Sequence, residues 1–309
     1  MRLEKRIGVI LTLLVTALAS ADPAAAEVSQ SSLLVEDSPV ITTKAPGGDS
    51  AVQVNGSPVV TVATQRSNVP TDRLLLPFYS VVHNVDPSLR TTTLFAVVNE
   101  SNEAVNVRYS YFEASTPQSY AYQETLWLDP KAFRWVDMHE VFNACSGCSE
   151  TVKASGFVII ETVDEAPVLH GDYWRIDQPN ATASGYRLVD IGNSSAGNAL
   201  CKRFSVRFTG SALTGTLLTL WVAREEVAPE GQALASWAAF DQAGTFQDSG
   251  VVTNNKVAFE QWVGAAPLDP PVANGSVEID FLGHAGHVSS TVFSFGLFSI
   301  GSEATCLEP

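Results

Sequence analysis

The chain has 309 residues, 45% of them apolar and 17% charged, with 33 acidic and 18 basic side chains. The apolar share is that of a folded globular protein and excludes a wholly disordered chain, and the small charged share excludes a long coiled coil. The formal net charge of −15 repels phosphate backbones, so the composition also argues against a nucleic-acid-binding protein.

Residues 1–26 have the three parts of a secretory signal peptide. A basic start with Arg2, Lys5 and Arg6 precedes an apolar run over residues 7–19, and two Ala-x-Ala cleavage patterns follow. The alternative is an uncleaved anchor helix, but this run is shorter than the ~20 residues that span a bilayer. We therefore predict a secreted, periplasmic or cell-surface protein with no membrane span after signal removal.

The next segment, residues 27–71, is rich in Ser, Thr, Pro and Gly and has no sustained apolar period. This composition is typical of a flexible lead rather than of a packed domain. The β-forming run at residues 59–62 could still add one edge strand.

After this lead, short β-type runs alternate with turn residues. Val105, Val107, Tyr109 and Tyr111 share one face of a strand and polar residues share the other, which is the period-two alternation of a half-buried strand. The predicted elements are strands at residues 74–82, 92–99, 105–113, 120–128, 132–137, 156–162 and 169–176, with one or two helical turns at 137–143. Strands at this spacing with polar turns predict a β-sandwich.

The later part of the chain repeats this pattern at a nearly constant spacing. Residues 78–82 match residues 204–208, residues 92–98 match residues 216–222, and three further matches follow in the same order. Such ordered matches favour duplication over chance. We therefore predict an all-β protein of two tandem antiparallel β-sandwich modules. The predicted boundaries are 72–190 for the first module, 191–198 for a linker and 199–306 for the second module.

Residues 92–113, followed by residues 124–136, resemble the immunoglobulin-like or fibronectin type III-like modules of exported bacterial proteins. The shared features are a Thr-rich strand, an Asn-containing hairpin, a Tyr-Phe-Glu strand end and the run Leu-Trp-Leu-Asp-Pro-Lys. The resemblance implies a β-sandwich fold and an extracellular habitat, and such modules often serve as adhesive, spacer or accessory domains. It transfers no site residues.

Four cysteines in an exported chain predict two disulfides, for which three connectivities exist. The spacing favours Cys145–Cys148 and Cys201–Cys306, and the second pair would join the two ends of the second module. The Cys-x-x-Cys motif could alternatively be redox-active, or bind zinc with His139. A small structural disulfide loop is the favoured interpretation, because strand residues rather than a helix follow the motif.

Six tryptophans suggest a platform on which sugar rings could stack. Trp135 and Trp262 recur at equivalent strand positions of the two modules, which favours core or half-buried packing for both. Trp127 and Trp174 are the better surface candidates for ligand binding.

Candidate catalytic groups are few. His170 and Asp172 could form part of a hydrolase site with a serine, but no Gly-x-Ser-x-Gly motif is present to supply an exposed nucleophile. His284 and His287 could ligate a metal from a loop, although two solvated histidines are the simpler interpretation. The sequence therefore predicts a protein that is not an enzyme, with no catalytic residues, no metal and no cofactor.

The predicted function is that of a secreted or cell-surface, non-catalytic binding or structural protein. Its expected partner is an extracellular protein or glycan of unknown identity, and no nucleic acid is expected. One alternative is a carbohydrate-binding accessory protein that uses Trp127 and Trp174. A second alternative is a secreted hydrolase with its site between the two modules.

Overall fold

The structure is a computed structural model. It describes residues 41–44, 50–54, 57–62, 70–82, 91–117, 120–144, 153–177, 182–192, 200–211, 214–224, 231–294 and 298–308. The chain divides into two units, residues 1–63 and residues 64–309.

In the first unit, the described residues form an antiparallel sheet of three strands in the order β1-β2-β3. The strands are β1 (Ile41–Lys44), β2 (Ser50–Val54) and β3 (Ser57–Val62). They lie within the segment that the composition predicts to be a flexible lead with at most one edge strand. In the sequence, Asn55-Gly56 separates two β-forming runs, which is a strong hairpin signal that outweighs the polar composition around it.

In the first half of the second unit, residues 70–192, the described residues form nine strands and one short helix. They are β4 (Arg73–Val82), β5 (Thr91–Asn99), β6 (Val105–Glu113), β7 (Tyr120–Leu128), β8 (Phe133–Asp137), α1 (Met138–Ala144), β9 (Lys153–Thr162), β10 (Leu169–Asp177), β11 (Thr182–Arg187) and β12 (Val189–Asp190). The seven strands predicted for this half are confirmed to within three residues at each end. The sequence prediction omitted β11 and β12.

These nine strands form two layers. Strand β5 pairs with β10 on one side and with β8 on the other. Its backbone pairing with β4 is limited, among the described residues, to Val82 and Thr91. Layer A therefore has the order β8-β5-β10-β11, and layer B has the order β12-β4-β9-β6-β7. The pairings are antiparallel throughout, and the two layers enclose the first hydrophobic core.

The second half, residues 200–308, also forms two layers. Its strands are β13 (Arg203–Thr209), β14 (Thr214–Val222), β15 (Ala233–Asp241), β16 (Phe246–Thr253), β17 (Ala258–Trp262), β18 (Asn274–Asp280), β19 (Gly286–Ser294), β20 (Phe298–Glu303) and β21 (Thr305–Glu308). Layer C has the order β17-β14-β19-β20, and layer D has the order β16-β15-β18-β13-β21. Strand by strand, this is the order of layers A and B. The prediction of an all-β, antiparallel chain is confirmed.

Each half has its own core, built from the side chains that point inward at every second position along its strands. In β6, Val105, Val107, Tyr109 and Tyr111 face inward, as the period-two pattern predicts. The second core is formed in the same way by layers C and D, with Phe204, Leu218, Val252, Ile279 and Phe281 among its members. The period-two pattern therefore determines which side chains are buried within each half.

Strand β4 contains a proline that changes which side chains face the core. The pairing of β4 with β9 shifts register between Leu76 and Tyr79, around Pro77, which has no N–H to donate to the sheet. Leu76 and Tyr79 both enter the first core, whereas Leu75 and Phe78 face outward. The bulge thus provides an apolar outer face on layer B.

That outer face packs against layer C. Phe78 and Phe157 of layer B form a cluster with Trp221 and Val257, and the Phe157 and Trp221 rings have centroids 5.9 Å apart. The Val257 N–H donates to the Ala114 carbonyl oxygen over 3.0 Å. The two halves of the second unit are therefore joined by a buried apolar contact.

Two buried tyrosines of the first core differ in their hydroxyl groups. The Tyr79 hydroxyl donates to the Phe112 carbonyl oxygen over 3.1 Å, whereas the Tyr109 hydroxyl has no hydrogen-bond partner among the described residues. Burial raises the pKa of both phenols above the ordinary value. We expect Tyr79→Phe to lower the free energy of unfolding by about 1 kcal/mol, because it removes a hydrogen bond. Tyr109→Phe should leave it unchanged or raise it.

Urea unfolding of the two variants beside the unmodified protein checks this expectation. A larger loss of stability in Tyr109→Phe than in Tyr79→Phe would contradict it.

Candidate functional site

The structure places the two predicted ligand-binding tryptophans on different layers. Trp127 lies in β7 of layer B with 61% of its surface exposed. Trp174 lies in β10 of layer A and is half-buried. They do not form one platform. Trp174 instead packs against Trp135 of β8, with ring centroids 4.9 Å apart and an angle of 35° between the rings.

The register of layer A explains this pair. Trp135 lies opposite Ala96 on one side of β5, and Trp174 lies opposite Leu94 on the other side. Leu94 and Ala96 are two residues apart and share a face of the strand, so both indoles lie on the same side of the sheet. The rings meet diagonally across β5.

Phe133 extends the same surface along β8. It is two residues from Trp135, lies opposite Val98 and is 54% exposed. The intervening positions face inward, since Val136 and Phe95 belong to the first core. We call the surface formed by Phe133, Trp135 and Trp174 the aromatic face of layer A.

Gly185 in β11 gives Trp174 room to lie against its neighbouring strand. Gly185 pairs with Trp174, and a Cβ at this position would lie 3.0 Å from the indole ring. Contacts this short are rare for real Cβ atoms, so a side chain at this position would displace the ring. The glycine is therefore part of how the fold holds Trp174.

The sequence predicts core or half-buried positions for Trp135 and Trp262, and neither ring belongs to a core. Trp135 is half-buried on the outer side of layer A, and Trp262 is 37% exposed on the outer side of layer C. Recurrence at equivalent positions does not distinguish the inner side of a sheet from the outer side. A shift of one residue in a strand moves every side chain to the other face.

The second half carries a matching aromatic pair. Trp262 lies opposite Leu217, Phe293 lies opposite Gly215, and the two ring centroids are 5.4 Å apart. Gly215 and Leu217 are two residues apart on β14, as Leu94 and Ala96 are on β5. The same diagonal arrangement across the central strand therefore occurs on the outer sides of layers A and C.

Charged side chains lie beside the aromatic face. His170 Nδ1 lies 2.8 Å from Glu100 Oε1, and Asp172 of β10 lies opposite Arg187 of β11. His170, Asp172 and Trp174 alternate along β10 and so share the outer side of layer A. The polar groups and the rings therefore form one continuous surface.

Asp172 is partly buried in this surface. Burial raises its pKa above the ordinary value, while the positive charges of Arg187 and, when protonated, His170 act in the opposite direction. The folded protein therefore binds the Asp172 proton more tightly than the unfolded chain does. Through this group, stability decreases as the pH rises from the unfolded pKa through the folded one.

We therefore expect Asp172→Asn to be more stable than the unmodified protein at pH 7, because it removes an ionised carboxylate from a partly buried place. The advantage should diminish as the pH falls and Asp172 becomes protonated. Urea unfolding of both proteins at several pH values between 3 and 7 measures the difference. If Asp172→Asn gained most stability over the unmodified protein at the lowest pH, that result would contradict a raised pKa for Asp172.

The hydrolase alternative requires His170 and Asp172 to line a cleft between the halves. Both lie on the outer side of layer A, away from the apolar contact between layers B and C. An ion pair between Arg175 and Glu260 does cross from β10 to β17. The Arg175 and Asp172 side chains lie on opposite sides of β10. This ion pair therefore does not bring His170 and Asp172 into the contact between the halves.

One predicted disulfide is present. Cys201 and Cys306 are bonded, with Cα atoms 5.9 Å apart and a sequence separation of 105 residues. Cys306 lies in β21, beside β13, which begins two residues after Cys201. Cys145 and Cys148 lie outside the described residues, so their pairing stays a prediction.

The described part of the chain holds no group of three or more His, Cys, Asp or Glu side chains placed to bind a metal ion. His139 lies in α1, and His284 lies exposed in the turn before β19. His287 is buried in β19 with 2% exposure, so the interpretation of two solvated histidines is wrong for this residue.

No protein-family model, no curated protein and no solved structure matches the chain. No helix among the described residues combines the length and the apolar character needed to cross a membrane.

Proposed function

We propose that the protein is an exported, non-catalytic binding protein. Its two β-sandwich modules are immunoglobulin-like or fibronectin type III-like and descend from one duplicated module, and the aromatic face of layer A contacts the partner. The observation that carries this proposal is that the outer sides of layers A and C, which are equivalent in the two halves, have different surroundings. The outer side of layer C is covered by the first half around Trp221 and Ala258, whereas the outer side of layer A has charged groups at the equivalent positions beside its aromatic face.

Duplication is supported by two features that are independent of the sequence matches. The strand order is the same in both halves, and the diagonal aromatic pair recurs across the central strands β5 and β14. The strand pairing aligns Trp135 with Trp262 and Ala96 with Leu217, three residues before the Leu220 that the sequence match aligns with Ala96. This alignment relates the remaining positions of the two faces.

Layer A has charged residues where layer C has the apolar residues of its contact with the first half. Trp221 and Ala258 make the apolar contact of layer C with the first half, and the equivalent residues beside layer A are Glu100 and Lys131. Glu100 is paired with His170, and Lys131 donates from Nζ to the Glu100 carbonyl oxygen. Charged groups thus replace the apolar patch, so layer A is poorly suited to bind another module in the way that layer C does.

Export is tested by expressing the full chain in a bacterial host with a C-terminal tag. We expect a periplasmic or secreted product whose mass shows removal of residues 1–21 or 1–26, after one of the two Ala-x-Ala patterns. Leu13→Arg, which interrupts the apolar run of the signal, should leave a full-length product in the cytoplasm. A full-length cytoplasmic product from the unmodified chain would contradict the proposal.

A further inference from the structure

We propose that the aromatic face of layer A binds the pyranose rings of a neutral polysaccharide. The inference rests on the proposed function. The ligand class is a neutral sugar chain, and the contacting residues differ in how much they contribute to its binding. Trp135 and Trp174 are the central contacts, and Phe133 extends the surface by one further ring.

The rings have the chemistry that a sugar requires. One side of a pyranose ring presents C–H groups with partial positive charge, and the face of an aromatic ring carries partial negative charge, so the two stack. Trp135 and Trp174 are half-buried, so their positions are fixed, yet each keeps part of its surface accessible. Burial of one side by the sheet reduces the entropy that is lost when the other side binds a ligand.

The surface is elongated, which favours a chain of sugars over a single residue. Phe133 and Trp135 are two residues apart on β8 and point to the same side, so their Cα atoms are separated by roughly 6.6 Å. The Trp174 ring continues the row across β5. Three rings in a row provide successive contacts for neighbouring sugar units.

The charged groups beside the rings suit hydroxyl groups. A carboxylate accepts and a guanidinium donates hydrogen bonds, and Asp172 and Arg187 lie on adjacent strands next to Trp174. A sugar hydroxyl can serve as donor to the first and as acceptor from the second. Aromatic rings with a few polar groups at the edge are the usual composition of a small-ligand surface.

A docked protein module is the less favoured occupant. Closing a flat sheet over this surface would remove water from Glu100, His170 and Lys131, and these charges would need new partners across the interface. A polysaccharide covers the rings and leaves those groups in contact with water.

The test is affinity electrophoresis of the exported, processed protein. Native gels contain hydroxyethylcellulose, laminarin, xylan or glycol chitin, each with a gel that lacks polysaccharide as reference. We expect the unmodified protein to be retarded by at least one of these polymers. Retardation should persist in 0.5 M salt, because a neutral ligand is held by stacking and hydrogen bonds rather than by net charge.

The matched variants are Trp135→Ala, Trp174→Ala and Trp127→Ala. We expect the first two to weaken binding at least tenfold and the third to leave it unchanged, because Trp127 is equally large but lies on layer B. Trp174→Phe retains a ring and should keep most of the affinity. Thermal unfolding of each variant confirms that a loss of binding is not a loss of fold.

Several results would overturn the inference. They are absence of retardation by every polymer, unchanged binding of both Trp135→Ala and Trp174→Ala, and loss of binding in Trp127→Ala alone. Self-association of the unmodified protein in sedimentation, abolished by Trp135→Ala, would assign the face to a second protein chain and would also overturn it. Absence of retardation, or self-association through the aromatic face, leaves the proposed function intact if the product is correctly exported and processed. Unchanged binding of both layer A variants, or loss of binding in Trp127→Ala alone, would also remove layer A as the contact surface of that function. Failure of export contradicts the proposed function independently of sugar binding.

Discussion

Removal of the Cys201–Cys306 disulfide is expected to lower the free energy of unfolding by about 4.7 kcal/mol. The bond closes a loop of 105 residues, and the entropy that such a cross-link removes from the unfolded chain corresponds to about this value at 25 °C. The folded state changes little without the bond, because Phe204 of β13 already pairs with Cys306 in the backbone ladder of layer D.

The measurement is urea unfolding of the oxidised protein beside the Cys201→Ser/Cys306→Ser double variant. Cys145→Ser/Cys148→Ser is the matched control. If those two cysteines pair as predicted, their bond closes a very short loop and its loss should cost only about 2 kcal/mol by the same relation. A loss below about 1 kcal/mol for the Cys201 and Cys306 pair would contradict its structural role.

Replacement of Trp221 by alanine is expected to lower the free energy of unfolding by about 3–5 kcal/mol, as is usual for a large buried aromatic ring. Trp221 is 7% exposed and packs edge-on against the Phe157 ring, between layers C and B. Without the ring, the contact between the halves loses its largest side chain, while the separate cores of the two halves stay complete.

Denaturant unfolding followed both by tryptophan fluorescence and by far-ultraviolet circular dichroism separates these effects. The unmodified second unit should unfold in one transition by both signals, and Trp221→Ala should unfold earlier, with transitions that no longer coincide. Trp262→Ala is the control on the same layer. It should cost about 1 kcal/mol, because its ring is 37% exposed and meets Phe293 at the surface. Equal losses in both variants would contradict the buried contact.

Local sequence patterns were sufficient to predict most strands of the first half. Strands such as β6 alternate apolar and polar residues, and this alternation requires no knowledge of the neighbouring strand. Strand β11 was missed because its sequence, Thr-Ala-Ser-Gly-Tyr-Arg, contains a central glycine and little alternation. Gly185 is needed there for the packing of Trp174, a requirement that arises only once β10 and β11 are adjacent.

The candidate site depended on register, which the sequence alone does not determine. Trp135 and Trp174 are far apart in the chain and meet only because both β8 and β10 pair with β5. Trp127 was correctly expected at the surface, but the layer on which it lies could not be read from its own strand. The composition of residues 27–71 likewise suggested flexibility, although two β-forming runs flank an Asn-Gly dipeptide.

The most direct test of the difference between the two halves is hydroxyl-radical footprinting of the exported protein, read residue by residue by mass spectrometry. Phe133, Trp135 and Trp174 on the outer side of layer A should be labelled in the free protein. Trp221, in the part of layer C that the first half covers, should be protected in the same sample. Protection of Trp135 and Trp174 together with labelling of Trp221 would mean that the opposite face is covered, and would contradict both the contact between the halves and the proposed binding surface.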